Sequence, residues 1–270
     1  MSTLFNGQAA GEWAMSRGLH FGDGIFRTLL IWDEKPVDWS LHMEKLAADC
    51  AVLQLQVPEM PLLEAEALQL VRGQQRAVLK ILVIRKSGGR GYFSATDESD
   101  RLLILQSAPQ FPLENWTQGI KIFKSPIKLS NQPLLAGVKH LNRLEQVLAS
   151  RGWPTGMDEA ILANETHQPV CGTRSNLFWV KAGAIHTPLL DRCGVSGIMR
   201  RKIMQLSDAH GIKMHPEMGD WNVLHQADEI FVCNALIGIW PVREFEGRVW
   251  PTTGPVSRMF QDQLNQPKLC

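Results

Sequence analysis

Short apolar runs that read as strands are mixed irregularly with helical patterns along this chain, and that irregularity constrains the fold more than any other feature. Residues 25–32, 78–85 and 102–106 read as strands. Between them, apolar residues recur at three and four over 41–53 and 61–72, the period of a helix with one buried face. The stretch 107–115 carries Pro109 and Pro112 and reads as a linker. Beyond it, 119–125, 159–163, 176–180, 185–187 and 229–233 read as strands, interrupted by a helix over 198–209. Strict βαβ alternation is missing, so the class is α+β. There is no internal repeat and no low-complexity segment.

Composition narrows the function. A chain of 270 residues can bury a sizeable core as one large domain or two medium ones. A net charge of +1 offers no general attraction to nucleic acid or to an acidic membrane. No apolar stretch approaches transmembrane length, and no basic segment followed by an apolar run opens the chain. Cys50, Cys171, Cys193, Cys233 and Cys270 are odd in number and scattered, with no CxxC spacing. Neither a disulfide framework nor a zinc site is therefore expected, and the eight histidines show no ligand spacing, so no metal is expected. The default expectation is a cytoplasmic location.

Lys139 is the residue most suggestive of chemistry. It follows Gly137 and Val138, and Leu141, Leu144 and Leu148 after it recur at helical spacing, which predicts a helix with one buried face starting beside it. Desolvation there would favour the neutral amine, which can form a Schiff base with a carbonyl. Read alone, the same lysine fits a surface position with its stem over apolar neighbours. His140 beside it reads as a structural histidine, because adjacent residues point to different faces.

The segments around it carry more information. GVKHLNRLEQVL at 137–148, HFGDGIFRT at 20–28, SGGRGY at 87–92, SNLFW at 175–179, VSGIMR at 195–200 and ADEIFVCNA at 227–235 resemble, in this order and spacing, the fold-type IV pyridoxal-phosphate enzymes. The resemblance runs from about residue 5 to about residue 245. That group includes branched-chain and D-amino-acid transaminases, and the 137–148 and 87–92 segments resemble its aminodeoxychorismate lyase branch more than the transaminases. The resemblance implies two domains, 1–108 and 116–270, with the Schiff-base lysine and the phosphate turns in the second and the active site in the cleft between them. It also implies pyridoxal 5'-phosphate as cofactor, a homodimer, and a small substrate with two carboxylates.

Residue by residue, the resemblance makes Lys139 the amine that holds the cofactor and then the general acid/base. It places the phosphate on the turn Gly197-Ile198-Met199, where a helix start offers N–H groups to an anion, and on a second turn at Asn234-Ala235. Gly197 alone would pass as an ordinary helix start. Lys45 stands where the family has an arginine; it keeps the charge without the bidentate fork, and a solvated helix face explains it equally well. Thr28 matches a threonine implicated in proton handling, although β-branched strand residues are common. Arg90 and Tyr92 lie in a glycine-rich loop whose backbone can approach a ligand, and an arginine suits carboxylates. Arg27 and Arg143 are weaker candidates for the same task, and each of these arginines also fits the surface. Asn142 would orient the site.

One position departs from the family. Relatives carry a glutamate five residues before the asparagine of the NLF motif, paired with the pyridine nitrogen. Here Cys171 takes its place. A thiol of ordinary pKa near ~8.5 is neutral at pH 7 and cannot hold a proton on the ring as a carboxylate does. Elimination to an aromatic product has its own driving force, so this change should weaken transamination more than lyase chemistry. A small buried hydrophobe is the plainer explanation of the same residue. The reading is a lyase acting on 4-amino-4-deoxychorismate. Its rivals are a D-amino-acid or branched-chain transaminase, and a non-catalytic protein that uses the fold for binding.

Overall fold

Along Gly24–Trp32, Ile25, Arg27, Leu29 and Ile31 are buried on one face, while Phe26 and Thr28 on the other are half-buried. That two-residue period is what a strand against helices requires. The computed structural model describes every residue except 1–3, 6, 7, 10, 89, 90, 251, 252 and 265. Its contacts divide the chain into two units: Met1–Ser107 with Val138–Asn142, and Ala108–Gly137 with Arg143–Cys270.

The first unit contains β1 (Gly24–Trp32), β2 (Lys35–Pro36), α1 (Trp39–Val52), α2 (Met60–Val71), β3 (Arg76–Arg85) and β4 (Ser99–Ser107). The four strands form one antiparallel sheet in the order β2-β1-β3-β4. β1 and β3 pair over their full length, from Gly24 opposite Ile84 to Trp32 opposite Arg76. Met43, Leu46 and Cys50 on α1 recur at three and four and pack on Ile25, Leu29, Ile81 and Val83. Leu63, Ala67 and Val71, each four apart on α2, join the same core, and the first turn of α2 holds Pro61, a residue suited to that place.

The second unit contains β5 (Ile120–Lys128), α3 (Leu144–Ala149), β6 (Glu159–Ala163), β7 (Pro169–Gly172), β8 (Asn176–Lys181), β9 (Ala184–Thr187), α4 (Ile198–Ala209), β10 (Met214–Pro216), β11 (Glu229–Asn234), β12 (Gly238–Phe245) and α5 (Pro255–Leu264). Its sheet runs β10-β9-β8-β11-β12-β5-β6-β7, and β7 returns to pair with β8. Six strands thus close on themselves, with Cys171 opposite Asn176 at the closure and Cys233 on Asn176's other side. Phe178 and Phe231 stack at 4.9 Å in a core shared with Met199 and Ile203 of α4 and Phe260 of α5. Among the described residues, no helix is long and apolar enough to cross a membrane.

The expected helix beginning at Lys139 is corrected. The segment 138–142 is not helical. Ile25 bridges to His140, the Phe26 N–H donates to the Lys139 carbonyl at 2.9 Å, and the Leu141 N–H donates to the Gly24 carbonyl at 2.9 Å. The helix starts only at Leu144 and lasts six residues. Leu144 and Leu148 are 75% and 50% exposed, so the leucine spacing does not mark a buried face. His140 is accordingly a half-buried bridge residue outside any helix. The same pairing groups Lys139, with the rest of 138–142, in the first unit.

Candidate active site

Lys139 sits where a main chain is fixed from two sides. Its carbonyl is held by the Phe26 N–H, and its own N–H donates to Asp49 Oδ2 at 3.1 Å. The side chain is half-buried and sets Nζ over the Phe26 ring, 4.4 Å from its centroid, where the ring face attracts a cation. Lys80 brings a second amine to the same ring, at 4.9 Å. Thr28 lies opposite Lys80 in the register and on the Phe26 face of β1. The structure therefore places Lys139, Thr28 and Lys80 around one strand face, and the sequence reading had passed over Lys80.

Lys45 and Arg27 share a partner. Both form ion pairs with Asp49, which is 1% exposed, and Arg27 Nη2 also donates to the Lys45 carbonyl at 3.1 Å. Burial, with the Arg27 charge second, pulls the Lys45 ammonium down to about 8. Burial likewise pulls Arg27 down to about 10. Arg27 as a substrate residue is corrected: its guanidinium belongs to the buried face of β1, and it is 2% exposed. Asp49 was missed, although a signal existed. It lies four residues after Lys45 and three after Leu46, so an acid falls beside the buried stripe of α1 with a cation one turn back.

The glycine-rich loop is described only in part, and Arg90 lies outside the described residues. Tyr92 is 88% exposed, its ring edge-on to Phe21 at 5.4 Å. The loop is held from below by buried Arg17, which donates to the carbonyls of Gly91 at 3.0 Å and Tyr92 at 2.7 Å while pairing with Asp23 at 2.8 Å. Asn142 packs over Gly22, where a Cβ would lie 2.1 Å from its Oδ1.

In the second unit, Gly197 caps α4 in an extended conformation with no side-chain cap, leaving the N–H groups that open the helix at Ile198 and Met199 for an anion. Asn176 fixes this turn. Its Oδ1 accepts from the Gly197 N–H at 3.2 Å, and its Nδ2 donates to the Val195 carbonyl at 2.8 Å. A Cβ on Gly197 would meet Asn176 Oδ1 at 2.4 Å, so only glycine fits. Asn234 Oδ1 accepts from the N–H groups of Leu236 and Ile237, and its Nδ2 donates to the Arg174 carbonyl. Its side chain shapes the turn, and half-buried Ala235 follows it.

Cys171 is buried on β7. Burial first, then the charges of Cys193 and Glu159, push its thiol up to about 12 against the opposing Arg143. It is a neutral group at neutral pH. Burial lowers Arg143 from its ordinary value, with the charges of Cys171 and Glu145 opposing. A carboxylate that the sequence did not reveal is also present. Glu159 is fully buried against Gly172, and accepts from the Thr173 N–H at 3.1 Å, the Ser175 hydroxyl at 3.0 Å and the Thr173 hydroxyl. Its oxygens are engaged by its own sheet.

Taken unit by unit, the groups suit a phosphorylated pyridine aldehyde: the first unit offers an amine on a half-buried apolar face, and the second a helix start that only glycine clears. The profile of the amino-transferase class IV family matches residues 24–245. The chain belongs to that family. This class IV chain is 32% identical over 256 residues to an aminodeoxychorismate lyase of Vibrio harveyi, spanning 92% of this chain and 94% of the relative. It is 30% identical over 239 residues to a putative branched-chain-amino-acid aminotransferase of Methanocaldococcus jannaschii, spanning 86% and 82%. The crystal structure of 4-amino-4-deoxychorismate lyase from Pseudomonas aeruginosa superposes with a TM-score of 0.86 at 36% identity, over 96% of this chain and 97% of that one.

Proposed function

We propose that this class IV protein is a pyridoxal-phosphate-dependent lyase that converts 4-amino-4-deoxychorismate to 4-aminobenzoate and pyruvate, a step of folate biosynthesis. The whole-length likeness to the Pseudomonas aeruginosa lyase carries the reading. When bound, pyridoxal phosphate supplies an aldehyde that holds an amine and a ring that takes up the electron pair released at the adjoining carbon.

The chain's own residues do the rest. Lys139 Nζ would hold the aldehyde, and would be a free amine once the substrate amine had taken its place. The freed amine then takes the proton from the substrate carbon that bears nitrogen. The neighbouring carbon–oxygen bond breaks, the ring becomes aromatic, and the enolpyruvyl group leaves with a proton as pyruvate. Atoms balance with no oxidant and no water consumed. Thr28 is the proton carrier for the leaving group. The N–H groups of Ile198 and Met199, beside Gly197, would hold the phosphate, with the Asn234-Ala235 turn as the second anchor. Arg143 and the 87–92 loop, with Arg90 and Tyr92, are the groups for the two substrate carboxylates, and Asn142 orients the segment that carries Lys139. A homodimer and a cytoplasmic location complete the proposal.

The test is product release. The purified protein with pyridoxal phosphate is expected to release pyruvate and 4-aminobenzoate in equal amounts, and Lys139→Ala to release neither. Amino transfer from D-alanine or a branched-chain amino acid, without pyruvate from aminodeoxychorismate, would overturn the reading in favour of a transaminase. The likeness to the archaeal aminotransferase keeps that second reading in view. Cys171 weighs against it, because a neutral thiol holds no proton on a pyridine nitrogen. Cys171→Glu is accordingly expected to raise amino transfer while lyase activity persists; a large lyase loss with no gain in transfer contradicts this.

A further inference from the structure

Asp49 is a costly residue. A carboxylate at 1% exposure must be fully partnered to remain charged. It has three partners from three places: Lys45 on its own helix, Arg27 on β1, and the main-chain N–H of Lys139, 90 positions away in sequence. The third is informative. Lys139's carbonyl and the Leu141 N–H engage β1, but the Lys139 N–H leaves that ladder and goes to the carboxylate. The Lys139 backbone is thereby clamped on both sides, and its side chain leaves the clamp over Phe26.

We propose that Asp49 is a positioning residue for Lys139: its buried carboxylate fixes the lysine's main chain, and Arg27 and Lys45 are the counter-charges that keep that carboxylate ionised. The inference rests on the reading of Lys139 as the amine that captures the aldehyde.

Asn at position 49 keeps an acceptor for the Lys139 N–H. Leu removes it. Leu at both 27 and 49 removes the acceptor together with the arginine that Asp49 neutralises, so stability and positioning separate. The experiment treats each purified chain with increasing pyridoxal 5'-phosphate, reduces with borohydride, and measures by mass the fraction of the Lys139 peptide carrying the cofactor, beside the melting temperature. Asp49→Asn is expected to capture within about threefold of the wild type. Asp49→Leu is expected to melt lower and to need about tenfold more cofactor, the loss of a hydrogen bond to a charged group. Arg27→Leu with Asp49→Leu is expected to regain melting temperature and keep the tenfold capture defect. A folded double variant that captures like the wild type would overturn the proposal and leave Asp49 a partner for Arg27 alone. No label on Lys139 of the wild-type chain would overturn both this inference and the proposed function.

Discussion

At the scale of single residues, the thiol at 171 shows how burial decides chemistry. Burial lifts it from the ordinary thiol range of ~8.5–9 to about 12. The sign of the consequence follows from proton counting. Between those values the folded chain keeps a proton that the unfolded chain has lost, so the contribution is complete below pH 9 and is lost as pH rises toward 12. The slope for one such group is about 1.4 kcal/mol per pH unit. Replacing Cys171 with Val removes one such group. In urea unfolding of the cofactor-free chains, the stability difference between Cys171→Val and wild type is expected to be constant from pH 6 to 9 and to move in the variant's favour above 9. A difference that stays flat to pH 11 would show that the thiol ionises freely in the fold. The same burial makes Cys171 a poor nucleophile, leaving exposed Cys270 as the thiol that reagents should reach first.

At the scale of elements, β1 is positioned by what Gly24 lacks. A Cβ there would lie 2.5 Å from the Val83 carbonyl and 2.9 Å from Leu141 Cδ1, so strand pairing on one side and the Lys139 segment on the other both depend on the missing atom. Gly24→Ala is expected to destabilise the chain by about 1–3 kcal/mol, the range for forced overpacking, and to lower cofactor capture at Lys139 with it. Wild-type stability and capture in that variant would mean that the close approach relaxes without consequence. Elements of this kind were largely legible in the sequence. The strand expected over 25–32 is Gly24–Trp32, and the helix expected over 198–209 is Ile198–Ala209, because each carries a complete apolar period. The Lys139 segment was misread because leucines at 141, 144 and 148 imitate a helical stripe, although two of the three face solvent. The Asp49–Lys139 bond was illegible for another reason: no local pattern connects residues so far apart, and only the fold of α1 on β1 brings them together. Glu159 escaped notice likewise, since its partners are contributed by the next hairpin.

At the scale of the whole molecule, the chain changes allegiance between two adjacent residues. Gly137 donates to the Gly194 carbonyl and accepts from the Ser196 N–H, both in the second unit. Val138 joins the first unit's core beside Ile25 and Leu46, and Leu141 donates to Gly24. If these contacts express energy as well as geometry, neighbouring amides must report on different cores. Leu46→Ala tests this, because Leu46 is fully buried in the first core and its truncation costs about 2–5 kcal/mol. In native-state hydrogen exchange on the full chain, the amides of Phe26 and Leu141 are expected to lose protection by that amount, while those of Gly137 and Ser196 keep theirs. Loss at all four would mean that the chain opens as one cooperative body. Loss at Phe26 but not at Leu141 would return the Lys139 segment to the second unit, and would remove the clamp on which the positioning of Lys139 depends.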